Sequence, residues 1–196
     1  MIGNGDSAGE ASRNESGAAW VDAVLRFWFV ECDEQDWFGK DAAFDEAIRV
    51  RFMPLHRQLQ SQPDLVAHSP RQALAAVVVL DQFPRNMFRN APRAYATDIQ
   101  ALRIARAAIA SGFDKELANP QRLFLYLPFE HSEDLNDQAT GCGLTAATGD
   151  PRWTRYAQAH KAIIERFGRF PHRNAVLGRP STPEELAFLE TPGSAF

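Results

Sequence analysis

Three stretches of this chain place ionisable side chains where a helical protein gains little from them. The first is Leu80-Asp81-Gln82-Phe83-Pro84-Arg85-Asn86. Positions 74, 77 and 78 lead to 81 at helical spacing, so Asp81 continues the buried face of a central helix. Pro84 is expected to end that helix near Phe83. A helix C-terminus disfavours a carboxylate by roughly 0.3–1 kcal/mol through its dipole. A carboxylate set against both burial and dipole needs a cation, and Arg85 and Arg89 are the nearest. The second stretch is Tyr126-Leu127-Pro128-Phe129-Glu130-His131-Ser132-Glu133. A histidine beside carboxylates can take or give a proton near neutral pH. Glu133 and Asp134 are explained as acids opening the next helix, whereas Glu130 and His131 are not. The third is Arg169-Phe170-Pro171-His172-Arg173-Asn174, followed by Gly178-Arg179. Guanidinium groups interleaved with aromatic rings suit phosphate or carboxylate groups.

Two functions of different class follow. In the first, Asp81, Glu130 and His131 supply acid–base catalysis. Arg85, Arg89, Arg169, His172 and Arg173 then hold an anionic small molecule, phosphorylated or carboxylated, and the reaction is hydrolysis or another proton transfer. This requires the side chains to meet within about 10 Å around a concave pocket. In the second, the charges are internal ion pairs that lock helix ends, and stacked hairpins offer a groove to a peptide or protein partner without catalysis. Whether the chain is an enzyme stays open between them. His160 lies on a helical stripe between Tyr156 and Ile164, and reads as a hydrogen-bonded core residue.

Common catalytic patterns are absent: no Gly-x-x-x-x-Gly-Lys loop, no Gly-x-Ser-x-Gly elbow, no His-Glu-x-x-His pair. His131-Ser132-Glu133 opens like a deaminase zinc signature, but no Pro-Cys-x-x-Cys follows. A divalent ion on Asp81, Glu130 and His131 is disfavoured by the surrounding arginines, so no metal and no cofactor is expected. Cys32 and Cys142 form no Cys-x-x-Cys pair, which argues against a zinc knuckle or disulfide framework. A net charge of −4 argues against nucleic acid and anionic membranes as partners. No apolar run of about 18 residues suggests a membrane span. Residues 1–17, rich in Gly, Ser and Asn, read as a flexible tail without a signal peptide, and a cytoplasmic location is expected.

The elements that must position these groups read as helices throughout residues 18–196, a single domain. Ala18–Val30 forms the first. Asp41–Gln60 forms the second, kinked or split at Pro54. Ser69-Pro70 starts a third whose segment Ala73–Leu80 has no polar residue, the mark of a central helix. A fourth opens between Pro92 and Asp98 and stops at Gly112. A fifth starts at Asn119-Pro120 and is disrupted by Pro128; a sixth runs from about Ser132 to Thr148, weakened by Gly141 and Gly143. The seventh ends at Phe167-Gly168, with Trp153, Tyr156, Ala157, Ile163 and Ile164 as its apolar stripe. Thr182-Pro183 with Glu185 gives the last a capping box, and Leu186 and Leu189 would dock it. Short loops imply antiparallel neighbours.

Leu80–Asn86, Leu127–Asp134 and Phe167–Asn174 with Leu177-Gly178-Arg179 together resemble the bacterial domain-of-unknown-function 924 family, from about Trp20 to Leu189. The resemblance implies an all-α fold of antiparallel helical hairpins stacked in a tetratricopeptide-like superhelical array. It implies no reaction.

Overall fold

The computed structural model describes residues 19–194; the expected tail and Ala18 lie outside them. Among the described residues there is no strand. Helix α1 (19–26) runs into a π-helical turn, Phe27–Glu31, and short α2 is Glu34–Phe38. α3 is Ala42–Gln60, α4 Pro70–Val77, and a second π-helical turn, Val78–Gln82, leads into α5, Phe83–Met87. α6 is Asp98–Ala110, α7 Asn119–Glu130, α8 Leu135–Ala146, α9 Pro151–Phe167 and α10 Pro183–Leu189. α6 to α9 pack on one another in chain order.

The starts follow from side-chain caps. Asp41, Ser69, Asp134, Asp150 and Thr182 each accept a first-turn N–H. Every residue from Ala73 to Leu80 is fully buried, as an all-apolar helix requires. Each Val or Leu there contributes about 1.5–3 kcal/mol of burial. Aromatic rings fill the space on either side. Trp28 meets Phe83 at 5.5 Å and Phe124 at 5.6 Å, while Phe52 stacks on Phe83 at 4.7 Å. The Trp37 Nε1–H donates to the Trp28 carbonyl at 2.8 Å, which ties α2 to this core.

Expected breaks at three prolines are corrected. Pro54 and Pro128 lie inside continuous helices α3 and α7. Pro84 does not end the central helix either. The helix widens instead into the π-helical turn, with Phe83 N–H reaching back to the Val78 carbonyl, and resumes as α5. Proline lacks an N–H and its ring crowds the carbonyl four residues back. That carbonyl, of Leu80, accepts Thr97 Oγ1–H instead. The turn thereby places Asp81 mid-helix rather than at a C-terminus. The glycines of α8 also have a reason. A Cβ on Gly141 would lie 3.2 Å from the Phe129 Cβ, so glycine lets α8 approach α7 closely. Two details of the C-terminal stripes differ: Tyr156 and Leu186 are exposed. Phe188 docks α10 on Phe167, at 5.1 Å.

The apolar interior is in two parts. The main core takes in α1 and α3 to α7. A small second cluster joins Ile163, Ile164 and Phe170, with Phe167 and Phe188 against it.

Candidate functional site

Asp81 is wholly buried on the π-helical turn. His131 ends α7, and its Nδ1 lies 2.8 Å from Asp81 Oδ1. Gln82 Nε2 donates to the other carboxylate oxygen. Arg85, one turn on, donates to the Asp81 carbonyl and lies 3.3 Å from its carboxylate. It also forks onto Asp98 at 2.9 and 3.0 Å. Arg173, from the turn Pro171–Arg173, donates to the His131 carbonyl at 3.0 Å and approaches Asp98 at 3.5 Å. Its guanidinium stacks over Tyr95 and Phe170, at 4.7 and 4.5 Å.

Burial disfavours charge on Asp81, but Arg85, His131 and Gln82 outweigh it and hold the carboxyl far below its ordinary range. Burial and the Arg85 charge push His131 down despite Asp81, so the imidazole is neutral at neutral pH. With Nδ1–H donated to Asp81, the ring's Nε2 carries the lone pair. Nε2 makes no hydrogen bond among the described residues, and it is not among the sealed polar atoms. The His131 side chain is 13% exposed.

Glu130 lies beside this pair in a different state. Burial, then the Asp81 charge, lift its carboxyl to about 8, so it holds a proton at pH 7. Its Oε2 is 3.6 Å from His160 Nδ1, whose proton goes to the Tyr156 carbonyl at 2.9 Å. Burial and His131 press His160 down to about 3, so this is a contact of neutral groups rather than an ion pair. Glu130 Oε1, Gln138 Oε1 and Arg173 Nε are sealed from solvent without a hydrogen-bond partner among the described residues. His172 meets Phe170 ring to ring, and burial with Arg173 lowers it to about 4.

Of the eight residues singled out by sequence, Asp81, Arg85, Glu130, His131, His172 and Arg173 are thus linked. Arg89 and Arg169 are not brought in. Arg89 forks onto Asp45 of α3 at 2.6 and 2.7 Å, where Asn86 also donates. Arg169 forks onto Glu185 at 2.6 and 2.8 Å. In each case a nearer carboxylate takes the guanidinium. Sequence reasoning missed Asp98, which looked like a routine helix-opening acid. His160 is the buried, hydrogen-bonded core residue its stripe predicted, but its contact with Glu130, 30 positions away in the chain, was not foreseen. No group of three or more His, Cys, Asp or Glu among the described residues is arranged to hold a metal ion. Two open surface depressions lie elsewhere. One is lined by Ala146, Pro151 and Arg155, the other by Arg166, Arg169 and Glu185.

Fold and cluster together define an all-helical protein built around a buried Asp–His pair ringed by arginines. The chain belongs to the family described as bacterial proteins of unknown function, DUF924, whose family model matches residues 24–193. It is similar to a solved protein of unknown function, ATU0120 from Agrobacterium tumefaciens. The two share 40% identity, covering 88% of this chain and 98% of that one, with a TM-score of 0.80. No curated protein matches it. No described helix is long and apolar enough to cross a membrane.

Proposed function

We propose that Asp81 and His131 form an acid–base centre acting on an anionic small molecule, phosphorylated or carboxylated. The observation that carries this is the state of His131. One ring nitrogen is fixed by a buried carboxylate at 2.8 Å, and the other is left uncommitted. In that arrangement Asp81 sets tautomer and ring orientation, and Nε2 takes the proton. Glu130, still protonated at pH 7, is the complementary donor, while Asp81 stays ionised to hold the His131 base. Arg85 and Arg173 receive the anion by exchanging Asp98 for it.

The test is a thermal-shift panel of phosphorylated and carboxylated metabolites on the wild type, Arg173→Met and His131→Gln. A ligand at 100 times its Kd adds about 2.7 kcal/mol. The expected result is a shift lost in Arg173→Met, with turnover of the same compound lost in His131→Gln. Shifts indifferent to Arg173, or no shift with any compound, sink the reading.

One observation favours the non-catalytic alternative. Asp81 and Asp98 balance Arg85 and Arg173, as a lock between helix ends would. On that reading the panel is silent and a peptide or protein partner takes the place of the small molecule.

A further inference from the structure

α8 and α9 enclose part of the cluster through Gln138 and His160, and a short segment closes another side. Phe170 and Arg173, within residues 169–177, lie against the end of α7. The Phe170 ring is fully buried and sits 5.8 Å from His160; Arg173 holds the His131 carbonyl. Phe170 packs with the small second cluster rather than with the main core.

Two features mark the segment as a unit. Glycines bracket it: Gly168 at φ 69° and Gly178 at φ 67°, both left-handed, and a Cβ at either would meet nothing within 4 Å. Glycine at these points therefore answers to backbone conformation, not to crowding. Arg169 ties the segment to Glu185 and Arg173 ties it to the His131 carbonyl, but one side chain grips both its backbone and its far end. Glu133, just beyond His131, accepts the Phe170 N–H at 2.8 Å and the Arg179 fork at 2.7 and 3.0 Å. Arg179 in turn donates to the Phe170 carbonyl at 3.1 Å and to Asn174 Oδ1 at 3.0 Å. Both latch side chains are partly exposed, 24% for Arg179 and 29% for Glu133.

We propose that residues 169–177 are a strap that lifts from Asp81, Glu130 and His131 when the Glu133–Arg179 latch parts, and that this is the route to the site. That the strap governs entry of a ligand rests on the acid–base reading above; that it lifts does not.

The experiment uses the full chain and no ligand. Histidines are carbethoxylated with diethyl pyrocarbonate and quantified peptide by peptide in the wild type, Glu133→Gln and Arg179→Lys, with hydrogen exchange of the Phe170 amide followed in parallel. The five histidines supply their own controls. His68 is exposed and reports reagent; His56 is buried on α3, away from the strap, and reports global opening. The expected result is faster modification of His131 and His160, about tenfold, with loss of Phe170 protection while His56 stays slow. Arg179→Lys keeps the charge but loses the fork, and should give a smaller rise of the same pattern. Unchanged His131 and His160 rates in both variants overturn the strap. So does a rise in which His56 keeps pace, because that is unfolding of the whole. A strap that opens while the metabolite panel stays silent would leave the strap standing and remove the acid–base reading.

Discussion

Arg85 lies on α5 and Arg89 in the turn just after it, and each meets a carboxylate from elsewhere in the chain, yet their surroundings differ in kind. Around Arg89 the ion pair itself is matched. Its fork fits Asp45, Asn86 satisfies the same carboxylate, and Asp45 is held below its usual range once these bonds outweigh burial. Around Arg85 the charges are balanced too, but the polar atoms are not. Glu130 Oε1, Gln138 Oε1 and Arg173 Nε are sealed and unbonded among the described residues, and His131 keeps a free nitrogen. Charge alone does not separate the two. Unmatched polar atoms also occur at Trp28, His56 and Asp114, but around Arg85 several of them gather beside one ion pair, and leaving a buried polar group unmatched costs about 1–3 kcal/mol and needs a reason.

The strongest way to break the comparison is to remove one member of the ion pair on each side. Asp81→Ala takes away the wholly buried carboxylate and leaves Asp98 alone to face both Arg85 and Arg173, and a lost partner of a buried pair costs about 3–5 kcal/mol. Arg89→Met leaves the buried Asp45 half-matched by Asn86, but the arginine side chain it replaces is 31% exposed, and the change should cost about 1 kcal/mol. Urea unfolding midpoints measure both. Equal losses would mean that the two sites are one kind of structural pair.

A smaller effect sharpens the comparison through pH. Glu130 titrates at about 8 when folded and 4.5 when unfolded, so the folded state holds the extra proton between those values. Its contribution to stability is present below pH 4.5 and is lost as pH rises through 8. The depressed His160 and His172 act oppositely: their contribution is present above pH 6.5 and is lost as pH falls towards 4 and 3. From pH 6.5 to 8 the Glu130 effect stands without theirs. Wild-type stability should fall there by about 1–2 kcal/mol, at no more than about 1.4 kcal/mol per pH unit. Glu130→Gln should be flat over the same window. A wild type already flat between pH 6.5 and 8 would place Glu130 in the ordinary carboxylate range.

Local signals were readable from sequence because their causes are local. Ser69-Pro70, Thr182 with Glu185, and the unbroken apolar run Ala73–Leu80 each determine a structure within a few residues. Asp81, Arg85, His131 and Arg173 stood out for a related reason: a charge on an apolar stripe, or beside a proline, is conspicuous without knowing its partner. What stayed hidden depended on distant chain. Arg85 and Arg89 look alike in sequence, and only the positions of Asp98 and Asp45 tell them apart. The prolines misled because packing can hold a helix through them. At Pro84 a π-helical turn and the Thr97 hydroxyl absorb what the ring disrupts.

The least of the expected effects tests why Glu130 is so well isolated. α8 carries Gly141 against α7 and Gly143 on its exposed side. Alanine at position 143 has open space, so Gly143→Ala should stabilise by about 0.5–1 kcal/mol from helix propensity alone. Gly141→Ala gains the same propensity, but its methyl would lie 3.2 Å from the Phe129 Cβ and 3.5 Å from the Glu130 Cγ. The first of these is fixed to backbone and cannot turn aside, so the helices must separate. The gain should vanish, and water admitted beside Glu130 should lower its titration towards the ordinary carboxylate value, visible as a weaker fall in stability between pH 6.5 and 8. If both alanines stabilise alike and the pH response is untouched, the close approach of α8 does not keep the proton on Glu130, and its isolation must come from the α9 and strap side alone.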